Sequence, residues 1–393
     1  MKILCVFGRH NYGDPARGLS PEYAAFVPTL KRLGHEVHHF ESWGRHGYSD
    51  LAELNACLLA EVERLRPEVM LTVQMHYELW LETLEIIRAR GDVATISWTT
   101  DDSWKYREVS RFIGSAYNAM TTTYDYVIPK YHADGIHEVL LTQWAASADC
   151  FAEPLPANKC RYPVTFIGSA HGDRRALVAQ LAAHGIEVTC FGYGWPAGPL
   201  ASEDVPAIMR ESVISLNFAN SKGENQIKAR TFEVAGAGGF LLTNPAQGLE
   251  RFYAPGSEIA VYQDFDDLVS KIRYYLSHPN ERDRVARAGY ARTLRDHTYE
   301  QRLVEVIDFA LAAKNRAGSI QPGRSFDQAL RSHRVTPALR MLRVMLVGAG
   351  KICFGPQRGS RAARRLLFEL SWRLAGRQTF TAAGWPGRLF PYD

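Results

Sequence analysis

Short apolar runs rich in β-branched residues alternate along this chain with longer segments whose apolar positions recur at helical spacing. Residues 2–7 read as a buried strand. Residues 21–33 read as a helix, with Pro21 at an early position and Gly34 as its stop. Further strands are expected at 36–40, 69–73 and 93–98, with helices at 51–65 and 79–88. Segments 105–113, 119–122, 127–132 and 139–141 continue the alternation. A polar stretch with two prolines, 151–162, interrupts it and reads as an interdomain linker. The pattern then restarts, with strands at 164–167, 188–191, 214–218, 239–242 and 259–261. Helices are expected at 176–184, 205–211 and 228–235, and three more close the region at 265–276, 279–294 and 299–313.

Such repetition predicts an α/β protein of two doubly wound lobes, each a parallel sheet with helices on both faces. The predicted organisation is a first lobe over 1–150, the linker 151–162, a second lobe over 163–316 and a tail over 317–393. Ligands of doubly wound lobes bind at the carboxyl ends of the strands, here in a cleft between the lobes. The length of 393 residues, beyond the reach of one core, agrees with two domains.

Charge adds a feature that the pattern does not show. The formal net charge is +4, yet from Gln321 onward there are 13 Lys/Arg against 3 Asp/Glu, a net of +10, which leaves −6 for the rest. The tail carries two amphipathic helices, 337–347 and 360–374. Between Arg358 and Arg377 there are six arginines and one acid, Glu369, interleaved with leucines, Phe368 and Trp372. This composition fits an anionic membrane surface, or a helix packed back on the body with a basic outer side. No nucleic-acid partner is expected. The opening apolar run is too short for a signal peptide and no stretch reaches membrane-spanning length, so a cytoplasmic protein is expected, peripheral at the inner membrane face if the tail docks there. The six cysteines form no CxxC pair and the thirteen histidines no HExxH or Cys/His cluster, so free thiols and no metal site are expected.

The richest candidate chemistry lies in Asn217–Glu233, at a strand end, a loop and a helix start. Lys228 and Arg230 bring charge for a phosphate-bearing group. Glu233, one turn on, suits a pair of hydroxyls. Gly236, Gly238 and Gly239 would let a ligand approach the backbone. Gly168-Ser169, with Arg174 after them, form a glycine-bearing strand-to-helix loop that suits phosphate, or is an ordinary turn. Tyr193 and Trp195 stand where an aromatic ring can stack on a base, or pack as core. In the first lobe, His10 and Asp14 lie on a glycine-flanked loop. Asp101 and Asp102 crowd one strand end, a setting for a general base, although Asp102 also fits a helix N-cap. Val347-Gly-Ala-Gly-Lys351 mimics a nucleotide fingerprint but lacks the preceding strand.

The segment Phe232-Glu-Val-Ala-Gly-Ala-Gly-Gly-Phe-Leu-Leu-Thr243 resembles the nucleotide-binding segment of GT-B glycosyltransferases, and looks closest to their CgeB-like (spore maturation protein) branch. The likeness continues through 249–258, 274–282 and 297–302. It implies two Rossmann-like lobes and no cofactor or metal, since such enzymes usually stabilise the leaving pyrophosphate with protein groups. It puts Glu233 on the nucleotide ribose and Arg230 near the pyrophosphate. Read from strand ends, loops and charge rather than from the resemblance, Asn217, Gly168, Ser169, Arg174, Tyr193, Lys228 and Gly238 complete the candidate donor site, with Asp101, Asp102 and His10 as catalytic candidates. Many retaining members carry Glu-x7-Glu; here the first position is Asn225, with Glu224 just before it. The implied partners are a nucleotide-diphosphate sugar and a glycan, lipid-linked or protein acceptor. Two other readings share this architecture: a non-catalytic scaffold of a polysaccharide assembly, and a nucleotide-sugar epimerase.

Overall fold

The computed structural model describes residues 1–44, 47–218, 226–318 and 321–391. The chain divides into two compact units. Unit 1 joins Met1–Thr142 to Val304–Asp393, and unit 2 is Gln143–Leu303.

Unit 1 is built on a parallel sheet of β1 (Lys2–Val6), β2 (Glu36–Phe40), β3 (Val69–Thr72), β4 (Ala94–Ser97), β5 (Ala119–Thr122) and β6 (Val139–Leu141). Their spatial order is β2-β1-β3-β4-β5-β6. Val6 lies opposite both Phe40 and Thr72, and Thr72 opposite Ser97, so four carboxyl ends reach one edge together. The connections carry α1 (Pro21–Arg32), α2 (Leu51–Leu65), α3 (Leu81–Ala89), α4 (Asp102–Lys105), α5 (Arg111–Ile113) and α6 (Ile128–Ala133). Local chemistry sets their ends. The Ser20 hydroxyl accepts from Tyr23 N (3.1 Å) at the start of α1, and the Asp50 carboxylate from Glu53 N (3.0 Å) at the start of α2. Leu51, Leu54, Leu58, Val62 and Leu65 then bury one face of α2. The helix expected over 105–113 begins earlier, at Asp102, and contains a wide π turn over Tyr106–Ser110. That turn aims the Ser110 hydroxyl back at Asp102 (2.6 Å).

Unit 2 holds a second parallel sheet of β7 (Tyr162–Ile167), β8 (Thr189–Phe191), β9 (Ser212–Asn217), β10 (Leu241–Thr243) and β11 (Ala260–Val261), in the order β11-β10-β9-β7-β8. Its helices are α7 (Arg174–Ala183), α8 (Val205–Arg210), α9 (Arg230–Gly236), α10 (Phe265–Ser277) and α11 (Pro279–Asp296); α12 (Tyr299–Arg316) begins here and runs on into unit 1.

Two expected boundaries change. The stretch 151–162 is part of unit 2, not a linker, because its backbone is held at three points by side chains of α8 and α11. Arg210 Nε donates to Glu153 O (2.7 Å), Asp283 Oδ1 accepts from Ala157 N (2.9 Å), and Arg282 Nη1 donates to Leu155 O (2.7 Å). Arg282 is fully buried and also donates to Val213 O (2.8 Å) and Ser212 O (2.7 Å), so α11, β9 and this segment share one guanidinium.

The tail, expected as a separate region, is part of unit 1. It forms α13 (Phe326–Ser332), α14 (Pro337–Phe354), α15 (Gly359–Ala375) and α16 (Trp385–Leu389). Ala329, Phe368, Trp372, Phe380 and Ala382 join the core of α2, α3 and β3. Ala382 N donates to Glu82 Oε2 (3.1 Å), and Tyr77 OH donates to Phe390 O (3.0 Å). Helix α14 runs seven residues beyond the expected Val347, through the fingerprint mimic. A Cβ at Gly350 would meet Gly359 O, so the mimic's glycine serves a close approach of α14 to α15.

The six cysteines are free thiols with unequal environments. Cys57 and Cys353 are exposed, whereas burial pushes Cys5 and Cys190 up to about 12 and Cys150 up to about 11. Titration of the folded protein with a chromogenic disulfide at pH 8 should therefore show two fast thiols and the other four only after denaturation.

Candidate functional site

In unit 2 the candidate residues gather at the carboxyl ends of β7, β9 and β10. Gly168 and Ser169 follow β7. Trp195 Nε1 donates to Gly168 O (2.8 Å), so Trp195 braces the loop and packs edge-on against Phe166. Tyr193, in the turn after β8, is about half exposed. Gly192, at φ +132°, is the position where a Cβ would strike Gly168 O. Gly192 directly precedes Tyr193, and its signal in the sequence is the glycine on either side of that tyrosine.

Arg174 opens α7 and turns back across the strand ends. Its Nη1 donates to Ser169 O (3.0 Å) and its Nη2 to Phe218 O (2.7 Å), with the guanidinium over the Phe166 ring. Burial lowers its pKa, and the Arg230 charge lowers it further, so two cations share this edge. Arg174, Phe218, Asn244 and Tyr262 line a groove of about 450 Å³. Asn217, the last residue of β9, donates through Nδ2 to Thr243 Oγ1 (3.0 Å) and pins the ends of β9 and β10 together.

The helix expected over 228–235 starts two residues later, leaving Lys228 in the preceding turn, half-buried. At seven residues α9 brings little dipole, so the positive field here comes from side chains. Arg230 and Glu233, one turn apart, pair with each other (3.0 Å). Both act electrostatically on Cys150, Glu233 raising its pKa and Arg230 lowering it, although burial dominates that shift. Asn225 and Glu224 lie outside the described residues.

Gly238 packs closely against neighbouring backbone. At φ +75°, its missing Cβ leaves room for Ala152 O and Pro154 N. Gly236 likewise makes way for Ala146, and Gly239 for Met209 O. The three glycines let the segment 146–154 and α8 lie against α9 and its exit.

In unit 1 the two aspartates part company. Asp102 is buried and enclosed by hydroxyls: Thr99 Oγ1 (2.8 Å) and Tyr131 OH (2.7 Å) donate to Oδ2, and Ser110 Oγ (2.6 Å) to Oδ1. Burial raises its pKa, partly offset by these hydrogen bonds. It is a structural anchor rather than a base within reach of solvent, and it is not the N-cap. That position belongs to Asp101, whose side chain makes no capping bond while its carbonyl accepts from Lys105 N (2.9 Å). Asp102→Ala takes the carboxylate from the buried Ser110 and Tyr131 hydroxyls, while Thr99 Oγ1 keeps Thr121 O as acceptor, and should cost about 1–3 kcal/mol, read as a lowered Tm, whereas Asp102→Asn should cost less. The folded Asp102 holds a proton at pH values where the unfolded one, near 3.8, has lost it. Its contribution to stability therefore declines as pH rises from 3.8 through its raised folded value, and Asp102→Asn should remove that slope.

Asp101 is half-buried and has an acidic neighbour far from it in sequence. Glu22, in the first turn of α1, has its pKa raised by burial, with Asp101 raising it further and Lys105 lowering it. Lys105 also acts on His76 and Glu78, in the loop after β3. Burial and the charges of Lys105, Arg364 and Arg365 hold His76 well below the usual histidine range, hence neutral at pH 7. Glu78 accepts from Met75 N and His76 N, which fixes the loop. Tyr12, Ser42, Trp43, His76, Glu78 and Arg364 line a pocket of about 230 Å³. Among the described residues, the Ser42 hydroxyl and His76 Nδ1 are buried there with no hydrogen-bond partner. The signal for this pocket was present in Gln74-Met-His-Tyr-Glu78, a polar cluster directly after a buried strand. His10 sits at the base of the loop 11–18, closed by its bridge to Leu19.

Residues 174–308 match the family described as Glycosyl transferase-like. No curated protein sequence matches the chain. Among solved structures, a sucrose-phosphate synthase from Thermosynechococcus elongatus is similar at 11% identity and TM-score 0.57, over 81% of this chain and 100% of that one. A glycosyltransferase from Rickettsia africae gives 12% and 0.55, over 80% and 99%. HepE from Anabaena, in complex with UDP and glucose, gives 13% and 0.50, over 78% and 99%. The chain thus has the GT-B fold, and about a third of it, a segment beginning at Arg174 and including Arg230 and Glu233, is similar to the Glycosyl transferase-like family.

Proposed function

We propose that the chain transfers a glycosyl group from a nucleotide-diphosphate sugar to an acceptor hydroxyl. The observation that carries this reading is the pair of arginines at the carboxyl edge of unit 2, Arg174 and Arg230, with the charge of Arg230 acting on Arg174, inside the segment that matches the Glycosyl transferase-like family. A groove of a few hundred cubic ångströms lined by Arg174, with the charge of Arg230 acting on that arginine, suits a dianionic ligand. In this reading Arg230 and Lys228 stabilise the departing pyrophosphate. Glu233 exchanges its intrahelical partner for the ribose hydroxyls. UDP is the nucleotide to try first, because a solved protein of the same fold is described with UDP and glucose.

The acceptor belongs to unit 1, in the pocket of Ser42, His76 and Arg364. Asp101 is the general base of this reading, since Asp102 is saturated with hydroxyl donors. Asp101→Asn should slow transfer by about 10²-fold at unchanged nucleotide affinity.

The test is calorimetry with UDP, GDP and dTDP, followed by transfer and hydrolysis assays on their sugars. Binding of one nucleotide at micromolar affinity with release of its sugar is expected. Absence of binding to all three ends the reading, and product formed without any acceptor shifts it to an epimerase.

A further inference from the structure

Helices α14 and α15 bury only their inner faces. On α14, Leu339, Leu346 and Val347 pack towards Ala363, Leu367, Leu389 and Phe390. The opposite stripe is open: Met341, Met345 and Ile352, spaced by four and seven residues, are 62%, 63% and 87% exposed. On α15, Leu366, Leu370 and Leu374 recur every four residues and are exposed as well. Six large apolar side chains on two adjoining helices exceed the scattered exposure that a soluble surface usually carries.

The charge around these stripes narrows what can cover them. Between Asp327 and Glu369 the chain carries nine Arg or Lys and no carboxylate. Arg340, Arg343 and Lys351 are exposed on α14 itself. A second copy docked through the same face would bring cations against cations, which disfavours self-association. An anionic bilayer satisfies both features. Its phosphates meet the arginines, while methionine, isoleucine and leucine enter the boundary between headgroups and acyl chains. Long side chains such as Arg and Met reach both levels from one helix. Among the described residues no helix is long and apolar enough to cross a membrane.

We propose that the outer face of α14 and α15 docks unit 1 on an anionic membrane surface as a peripheral attachment. The inference is independent of the nucleotide reading, because none of its six apolar residues lines the groove of unit 2 or the pocket of unit 1.

Deleting the tail cannot test it, since Phe368, Trp372 and Phe380 belong to the core of unit 1. The test uses the full chain and the double variant Met345→Glu with Ile352→Glu, both at exposed positions, with thermal unfolding to confirm an intact fold. Each is sedimented with vesicles of phosphatidylcholine alone and of phosphatidylcholine with one quarter phosphatidylglycerol. The expected result is pelleting with the anionic vesicles only, reversed by 0.5 M salt and weakened at least tenfold in the double variant. Equal pelleting with both vesicles, none with either, or an unaffected double variant overturns the proposal. So does a dimer, seen by light scattering without vesicles, that the double variant dissolves; the face is then a contact between copies.

Discussion

Arg230→Ala should lower kcat/KM for the nucleotide sugar by about 10²–10³-fold, the scale on which a positioned charge stabilises a developing anion. The residue opens α9 at the strand-end edge, and its charge already acts on Arg174. The fold should survive the change. Arg230 is partly exposed, and its ion pair is a single turn-spaced contact with Glu233, a type worth a few tenths of a kcal/mol. A kinetic loss without a fall in Tm is thus the signature to look for. Arg230→Lys should recover only part of the activity, because an ammonium offers a point charge where the guanidinium offers a planar fork. Full activity in Arg230→Ala would detach α9 from donor binding, whatever the fold implies.

Phe380→Ala should cost about 3–5 kcal/mol, the range for emptying a large buried aromatic site. From sequence alone Phe380 is an unremarkable member of a charged tail. In the structure it is fully buried, stacks on Phe112 at 5.7 Å and meets Phe368 edge-on at 6.3 Å. The damage should be confined to unit 1. Thermal unfolding of the variant is expected to show an early transition, while the transition that bound nucleotide raises keeps its midpoint. Unchanged unfolding would mean that the tail does not support unit 1.

The sheets were legible because each strand is a short apolar run closed by a turn residue, and every expected strand is found within a residue or two. Helix edges were less so. The π turn at Tyr106–Ser110 follows from the hydroxyl partners of Asp102, which come from Thr99, Ser110 and Tyr131 and share no periodicity. The domain boundaries failed for a similar reason. Pro154 and Pro156 mark a break in regular structure but cannot say whether the segment swings free; Arg282, 126 residues after Pro156, holds it. At the site, charge and strand-end position pointed to Arg174 and Arg230. The pairing of Asp101 and Asp102 misled, because neighbours in sequence at a helix start point into different surroundings. His76, Glu78 and Ser42 come together only when β2 and β3 are set on either side of β1, a step that no local pattern encodes.

Unit 1 is assembled from two stretches of chain that enclose all of unit 2. Synthesis therefore releases the later unit first as a complete object. Unit 2 has all its residues once Leu303 has emerged, while the sheet of unit 1 still lacks the aromatic side chains that close its core. The 87 residues from Leu303 to Phe390 take roughly 4–17 s at common elongation rates. For that interval six strands and their helices expose the apolar surface reserved for Phe368, Trp372 and Phe380. Yield of folded protein should accordingly depend on what shields that surface during translation, and on how quickly the last stretch is made.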